Sequence, residues 1–152
     1  MAIRSGTTSL LLAALALPGA FPDVAVAKAA RQLTFFAVMN AGQVIPPTTS
    51  NAMGVAFITF DESTKRVCYS ITYSTLVGTE TEAHLHAGQA GQTNAVLYDL
   101  NPLGSPKVNC LGPIKPNEER LLKQGRMYIQ IHTDVFVAGE IRGQLIPAPA
   151  VH

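Results

Sequence analysis

Regular alternation of apolar and polar residues is the feature that most constrains the fold of this chain. In RVCYSITYS, residues 66–74, the large apolar side chains fall on one face and Cys68 falls on the other. GRMYIQIHT, residues 125–133, repeats the pattern and places His132 on its less apolar face. Successive side chains of a β-strand project to opposite faces of the sheet. Both segments are therefore predicted to be strands with one face in a core.

Several further segments have strand composition, and one has the composition of a helix. LTFFAVM, GVAFITF, AVLYDL and EIRGQLI are rich in β-branched or aromatic residues and are separated by turn residues. One short helix is predicted near 117–124, with Asn117 as its N-cap and Gly125 as its left-handed stop. Many short strands with one small helix predict an all-β fold, an antiparallel β-sandwich or Greek-key-like barrel.

The first 27 residues have the pattern of a signal peptide. Arg4 precedes the apolar run SLLLAALALPGAF, which is shorter than the roughly 20 residues that span a membrane as a helix. Ala25-Val26-Ala27 then offers the small-x-small sequence at which we expect cleavage. An uncleaved anchor is the alternative, which Pro18 and Gly19 disfavour because they interrupt the run. We therefore expect a secreted or periplasmic protein.

The rest of the chain suits one domain, residues 28–152, with its core over about 33–146. Its sequence has no second long apolar segment, so no membrane span is expected in the mature chain. The formal net charge is +1, and the basic residues form no cluster. Nucleic-acid binding depends on clustered positive charge. The expected partner is therefore an unidentified protein or ligand outside the cytoplasm, and not a nucleic acid.

The chain has two cysteines, Cys68 and Cys110. In an oxidising compartment such a pair usually forms a disulfide. The bridge would close a loop of about forty residues and contribute on the order of 3–4 kcal/mol in the chain-entropy model. Two unpaired buried thiols are the less favoured alternative, and no Cys-x-x-Cys motif indicates a catalytic thiol.

AHLHAG, residues 83–88, contains two of the four histidines of the chain. In a strand His84 and His86 project from the same face, about 6.7 Å apart at their Cα atoms, and Leu85 faces the core. Together with His132 they could bind copper or zinc and leave one coordination position open. Asp134 is a weaker candidate, as a fourth ligand or as a partner of a ligand, if the strand of His132 continues.

A structural role is the alternative for these histidines. A neutral imidazole can donate a hydrogen bond from one nitrogen and accept one at the other. His84 and His86 could therefore fix the loop GQAGQTN, and His132 could fix the turn TDVFVAG. Glu140 and Arg142 are similarly expected to form an ordinary ion pair on the surface of a sheet, worth about 0–1 kcal/mol.

The order of these segments resembles the CHRD domain, a module named after chordin and also found singly in exported bacterial proteins. The resemblance is carried by GQVIPP at 42–47, GVAFITFD, VCYSITYSTL, AHLHAGQAGQTNAVLYDL and GRMYIQIHTDVFVAGEIRGQL. It implies an exported β-domain and does not imply a reaction. The His-x-His on a strand with a distant third histidine is also similar to the copper side of copper–zinc superoxide dismutases.

These observations lead to one preferred function and one alternative. We expect an exported, non-enzymatic CHRD-domain protein that acts as a binding or structural module. The alternative is a copper or zinc metalloprotein with His84, His86 and His132 as ligands, which could be superoxide dismutase-like. The sequence assigns no residue a catalytic role, since it contains neither Gly-x-Ser-x-Gly nor a recognisable Ser-His-Asp set.

Overall fold

The computed structural model describes residues 31–149 of the 152-residue chain. The predicted signal peptide, with its cleavage after Ala27, lies outside the described residues, as does His152. The described part contains a short 3-10 helix (Ala41–Gln43), one α-helix, α1 (Pro116–Lys123), and the strands β1 (Gln32–Asn40), β2 (Met53–Asp61), β3 (Arg66–Ser74), β4 (Glu80–Ala87), β5 (Val96–Asp99), β6 (Lys107–Leu111), β7 (Met127–Thr133), β8 (Ile141–Gln144) and β9 (Ile146–Pro147).

All strands belong to one antiparallel sheet with the order β5-β4-β7-β8-β1-β2-β3-β6, and β9 pairs with β1. The inner faces of β1, β2 and β3 and those of β4, β7 and β8 contribute to a single buried apolar cluster. The sheet therefore curls around one core, which confirms the predicted all-β fold. Within the described residues, no helix is long and apolar enough to cross a membrane.

Strand β3 shows the predicted alternation. Val67, Tyr69 and Ile71 are buried in the core, and Cys68 lies on the opposite face. Cys68 is directly paired across the ladder with Cys110 of β6, and the two form the predicted disulfide. Strand β6 was not predicted from the sequence.

Helix α1 begins one residue earlier than predicted. Asn117 is not the N-cap, because the helix starts at Pro116 and Lys115 precedes it. The side chain of Glu118 accepts a hydrogen bond of 2.8 Å from the backbone N–H of Lys115 and closes this end. Gly125 ends the helix with a φ of 66°, as predicted.

Strand β7 is buried on both faces, although its sequence alternates. Its inner face lies in the core, and its outer face lies under two loops, the β4–β5 loop (88–95) and the β7–β8 loop (134–140). On this face Gln130 donates a hydrogen bond to the carbonyl of Ala138 in the β7–β8 loop. A Cβ at Gly139 would collide with the Gln130 amide, so only glycine allows this close approach.

The prediction of a surface ion pair between Glu140 and Arg142 is wrong. Both residues are buried, with relative exposures of 0% and 1%. The Arg142 guanidinium donates hydrogen bonds to the carbonyls of Gln89 and Gln92 in the β4–β5 loop. The Glu140 carboxylate instead accepts a hydrogen bond from the backbone N–H of Val77. The prediction failed because the β4–β5 loop covers Arg142, whereas Glu140 is enclosed by Ser50, Thr133 and the segment before β4.

Candidate metal centre

Three histidines lie together on the covered outer face of the sheet. His84 and His86 project from β4 on the side opposite to Leu85, which is 2% exposed in the core. His132 projects from the neighbouring strand β7, where its Cα is paired with that of Glu82. The ring centroids are 4.9 Å apart for His84 and His132 and 5.6 Å apart for His84 and His86. We call these three residues the three-histidine cluster.

One nitrogen of each ring is held by an oxygen atom outside the cluster. Nδ1 of His86 lies 2.9 Å from the carbonyl oxygen of Asn94, and Nδ1 of His132 lies 2.9 Å from that of Val137. A carbonyl only accepts hydrogen bonds, so both Nδ1 atoms carry the proton. Nε2 of His84 lies 3.3 Å from a carboxylate oxygen of Asp99, so the neutral ring is expected to carry its proton on Nε2.

The other nitrogen of each ring is buried and has no hydrogen-bond partner. These atoms are Nδ1 of His84, Nε2 of His86 and Nε2 of His132. One nitrogen from each ring lies within 4.8 Å of one nitrogen from each of the others. Nitrogens bound to one ion at about 2.0–2.1 Å are roughly 3.3–4.2 Å apart, so an inward movement on the order of 1 Å is enough for shared coordination.

Burial keeps two of these imidazoles neutral. Burial away from water lowers the pKa of His86 from its usual 6.5, although the hydrogen bond to the carbonyl of Asn94 raises it in part. Loss of solvent also lowers the pKa of His132, against the opposing bond to Val137. Both rings therefore present an unprotonated Nε2 at neutral pH, which is the form that binds a metal ion.

An aromatic stack fixes the orientation of His86. The Tyr128 ring lies parallel to the His86 ring, with a centroid distance of 4.7 Å and an interplanar angle of 3°. The Arg142 guanidinium covers Tyr128, 3.5 Å from its centroid. Arg142 also donates to two carbonyls of the β4–β5 loop, which carries Asn94. The stack and the loop together hold the His86 ring and its proton in one arrangement.

The structure does not bring the fourth predicted residue, Asp134, into the cluster. Its carboxylate accepts a hydrogen bond of 2.8 Å from the backbone N–H of Thr79. The expectation required β7 to continue to Asp134, but the strand ends at Thr133 and the chain turns.

Two acidic residues approach the cluster instead of Asp134. Asp99 and Glu82 place carboxylate oxygens 3.3 and 3.8 Å from Nε2 of His84. Neither acid was predicted from the sequence as part of the site. Glu82 could have been found, because it shares the strand face of His84 and His86. Asp99 could not, because its position depends on the pairing of β5 with β4.

The fold and this site define a small antiparallel β-domain with a buried three-histidine cluster under two loops. The model of the CHRD domain family matches residues 35–145, which is most of the chain. The chain therefore belongs to the CHRD domain family, as the resemblance predicted. Comparison with curated proteins gave no match, and comparison with solved structures gave none either.

Proposed function

We propose that this CHRD-domain protein acts outside the cytoplasm as a non-enzymatic metal-binding module, in which His84, His86 and His132 bind one copper or zinc ion. One observation carries the proposal: each of the three histidines places one ring nitrogen within 4.8 Å of the other two, and each ring has one buried nitrogen without a hydrogen-bond partner. Imidazole suits both copper and zinc, and a neutral three-imidazole site is a well-known zinc ligand set. The general affinity order of divalent ions favours copper over zinc at such a site.

The purely structural alternative accounts for only one nitrogen of each ring. The bonds from His86 and His132 to loop carbonyls do brace the two covering loops. They leave three lone pairs buried without a donor, and each such group costs about 1–3 kcal/mol. A bound metal ion removes this cost and uses the same bracing bonds to orient its ligands.

An extracytoplasmic location is supported by several compatible features. The disulfide between Cys68 and Cys110 is typical of oxidising compartments. The N-terminal sequence has the three-part pattern of a signal peptide. Mass spectrometry of the N-terminus of exported protein tests this part, with Lys28 expected as the first residue. A mature chain that retains residues 1–27 would contradict it.

Metal titration of the purified mature chain tests the proposed site. We expect one equivalent of copper or zinc to bind by calorimetry and elemental analysis. The double variant His84→Ala/His86→Ala should lose binding by roughly 100-fold or more, since it retains one of three ligands. His152→Ala is the matched control, because it removes the one histidine outside the cluster and should bind like the wild type.

Two results would overturn the proposal. One is a wild-type chain that binds neither ion tightly. The other is a double variant that folds, as judged by its circular dichroism spectrum, and binds the metal as well as the wild type does.

A further inference from the structure

A cavity of about 210 Å³ opens beside the three-histidine cluster, on the outer side of the His84 ring. It is lined by His84, Glu82 and Asp99 together with uncharged residues of β4 and of the segment after β5. His84 is the member of the cluster that lines the cavity. Its Nε2 faces the two carboxylates, whereas its Nδ1 is buried and has no partner.

The charge of this cavity has one sign. The carboxylates of Glu82 and Asp99 are well exposed, with side-chain exposures of 63% and 72%. Among the described residues that line the cavity, none is a lysine or an arginine. The nearby basic side chains are directed elsewhere: Lys107 is buried against Glu80, and Arg142 is held by the β4–β5 loop.

We propose that this cavity is the route by which a metal cation reaches the three-histidine cluster, with Glu82 and Asp99 as the carboxylates that attract the ion. The inference rests on the proposed metal site and adds the charge class of its incoming ligand. Clefts lined by charge of one sign raise the local concentration of the opposite ion and increase its association rate. An anion such as superoxide meets repulsion at the same two carboxylates.

Both carboxylates also lie close to His84, a ligand of the proposed metal site. Both acids lie within 4 Å of Nε2 of His84, so an ion held between them lies beside the ring of a ligand. A side-chain rotation of His84 would then open the way for the ion to the unpartnered nitrogens of the cluster, where His86 and His132 are 7% and 9% exposed. The route therefore ends at ligands that are almost inaccessible to solvent.

Stopped-flow binding of Cu²⁺ to the mature chain tests the route. The chain has four tyrosines and no tryptophan, and Tyr128 is stacked on His86, so quenching of tyrosine fluorescence reports arrival of copper at the cluster. The double variant Glu82→Gln/Asp99→Asn removes both charges and keeps a carbonyl oxygen to face His84. We expect its association rate to fall about tenfold at low ionic strength. The difference should shrink to within about twofold near 1 M salt.

A matched control removes two carboxylates elsewhere. Glu62 and Glu119 pair with Lys123, away from the cavity, so Glu62→Gln/Glu119→Gln makes the same change in net charge. We expect this control to bind copper at nearly the wild-type rate. The dissociation rate should change little in the Glu62→Gln/Glu119→Gln control. For Glu82→Gln/Asp99→Asn the readout is the salt-dependent association rate, because Asp99 also faces Nε2 of His84 and its loss can change the dissociation rate as well.

The outcomes separate this inference from the proposed function. If the wild type binds neither copper nor zinc, the metal site and the route are both refuted. If the wild type binds copper and the Glu82→Gln/Asp99→Asn variant associates equally fast, only the route is refuted. A reduced rate that is independent of salt, or an equal reduction in the control, also refutes the route.

Discussion

Glu140 is the residue whose substitution gives the sharpest test of how the fold supports the cluster. Its buried carboxylate accepts hydrogen bonds from the hydroxyls of Ser50 (2.6 Å) and Thr133 (2.8 Å) and from the backbone N–H groups of Val77 (2.7 Å) and Gly78 (3.4 Å). Val77 and Gly78 lie just before β4, and Thr133 directly follows a histidine of the cluster in β7. One carboxylate thus ties together the two strands that carry the cluster.

The cost of Glu140→Gln follows from these contacts. The amide oxygen, placed where Oε1 was, can still accept from Ser50 and Val77. The amide nitrogen, placed where Oε2 was, can donate to the hydroxyl oxygen of Thr133. The backbone N–H of Gly78 loses its acceptor, and the remaining bonds lose the benefit of the negative charge. Hydrogen bonds to charged groups contribute about 1.5–3 kcal/mol each, so we expect a loss of about 2 kcal/mol. Glu140→Ala leaves all the donors unsatisfied and should cost about 4 kcal/mol.

Urea unfolding at pH 7 measures this difference. With m-values of about 1–3 kcal/mol/M, a loss of 2 kcal/mol shifts the midpoint by about 1 M. Glu62→Gln, which changes a partly exposed ion pair, should shift the midpoint much less. An unchanged midpoint in Glu140→Gln would refute the argument.

The pH dependence gives a second check on Glu140. Burial raises the pKa of this carboxyl, but the hydrogen bonds from Ser50, Val77, Thr133 and Gly78 outweigh it and keep the pKa below 4.5. A carboxyl with a lowered folded-state pKa stabilises the protein above its unfolded pKa. The difference between wild type and Glu140→Gln should therefore be full above about pH 4.5 and should shrink as the pH falls through the folded pKa. A difference that persists unchanged to pH 2 would contradict this account.

Three further substitutions test the contacts around the site. Replacing Cys68 and Cys110 by alanine opens a loop with a sequence separation of 42 and should lower the free energy of unfolding by about 4 kcal/mol; an unchanged urea midpoint would contradict this. Gly139→Ala should cost at least about 2 kcal/mol, because φ is 119° and the added Cβ would collide with the Gln130 side chain. Gly91→Ala, at a φ of 80° with open space around it, is the control and should cost about 1 kcal/mol. Equal costs would refute the packing argument. Arg142→Lys should weaken metal binding by about tenfold in calorimetry, because an ammonium group cannot both stack on the Tyr128 ring and bond two loop carbonyls. Wild-type affinity in this variant would show that the stack does not position His86.

Strand alternation predicted the part of the site that lies on one strand. It placed His84 and His86 together, Leu85 in the core and Cys68 away from the core, and the structure agrees. These positions follow from local geometry alone, because a strand fixes the side of each residue wherever it lies in the fold. His132 was also assigned to the correct face of its own strand.

The features that depend on distant contacts could not be predicted. Strand β6 was missed partly because Lys107 points inwards, which requires the buried partner Glu80 on β4. The burial of Glu140 and Arg142 depends on loops that no strand pattern describes. Asp134 was misplaced because the end of a strand is set by the turn that follows it. Alternation thus describes each strand, and pairing and loops decide which strand faces form a site.

The nitrogen atoms that bind the metal give the most direct test of the proposed centre. Long-range ¹H–¹⁵N NMR of the imidazoles distinguishes protonated, unprotonated and metal-bound nitrogens in a zinc-loaded or Cu(I)-loaded sample, since both ions are diamagnetic. The account predicts that the metal binds Nδ1 of His84 and Nε2 of both His86 and His132. The protons should remain on Nε2 of His84 and on Nδ1 of the other two rings. Ring nitrogens that do not shift when metal is added, or binding through the opposite nitrogens, would contradict it.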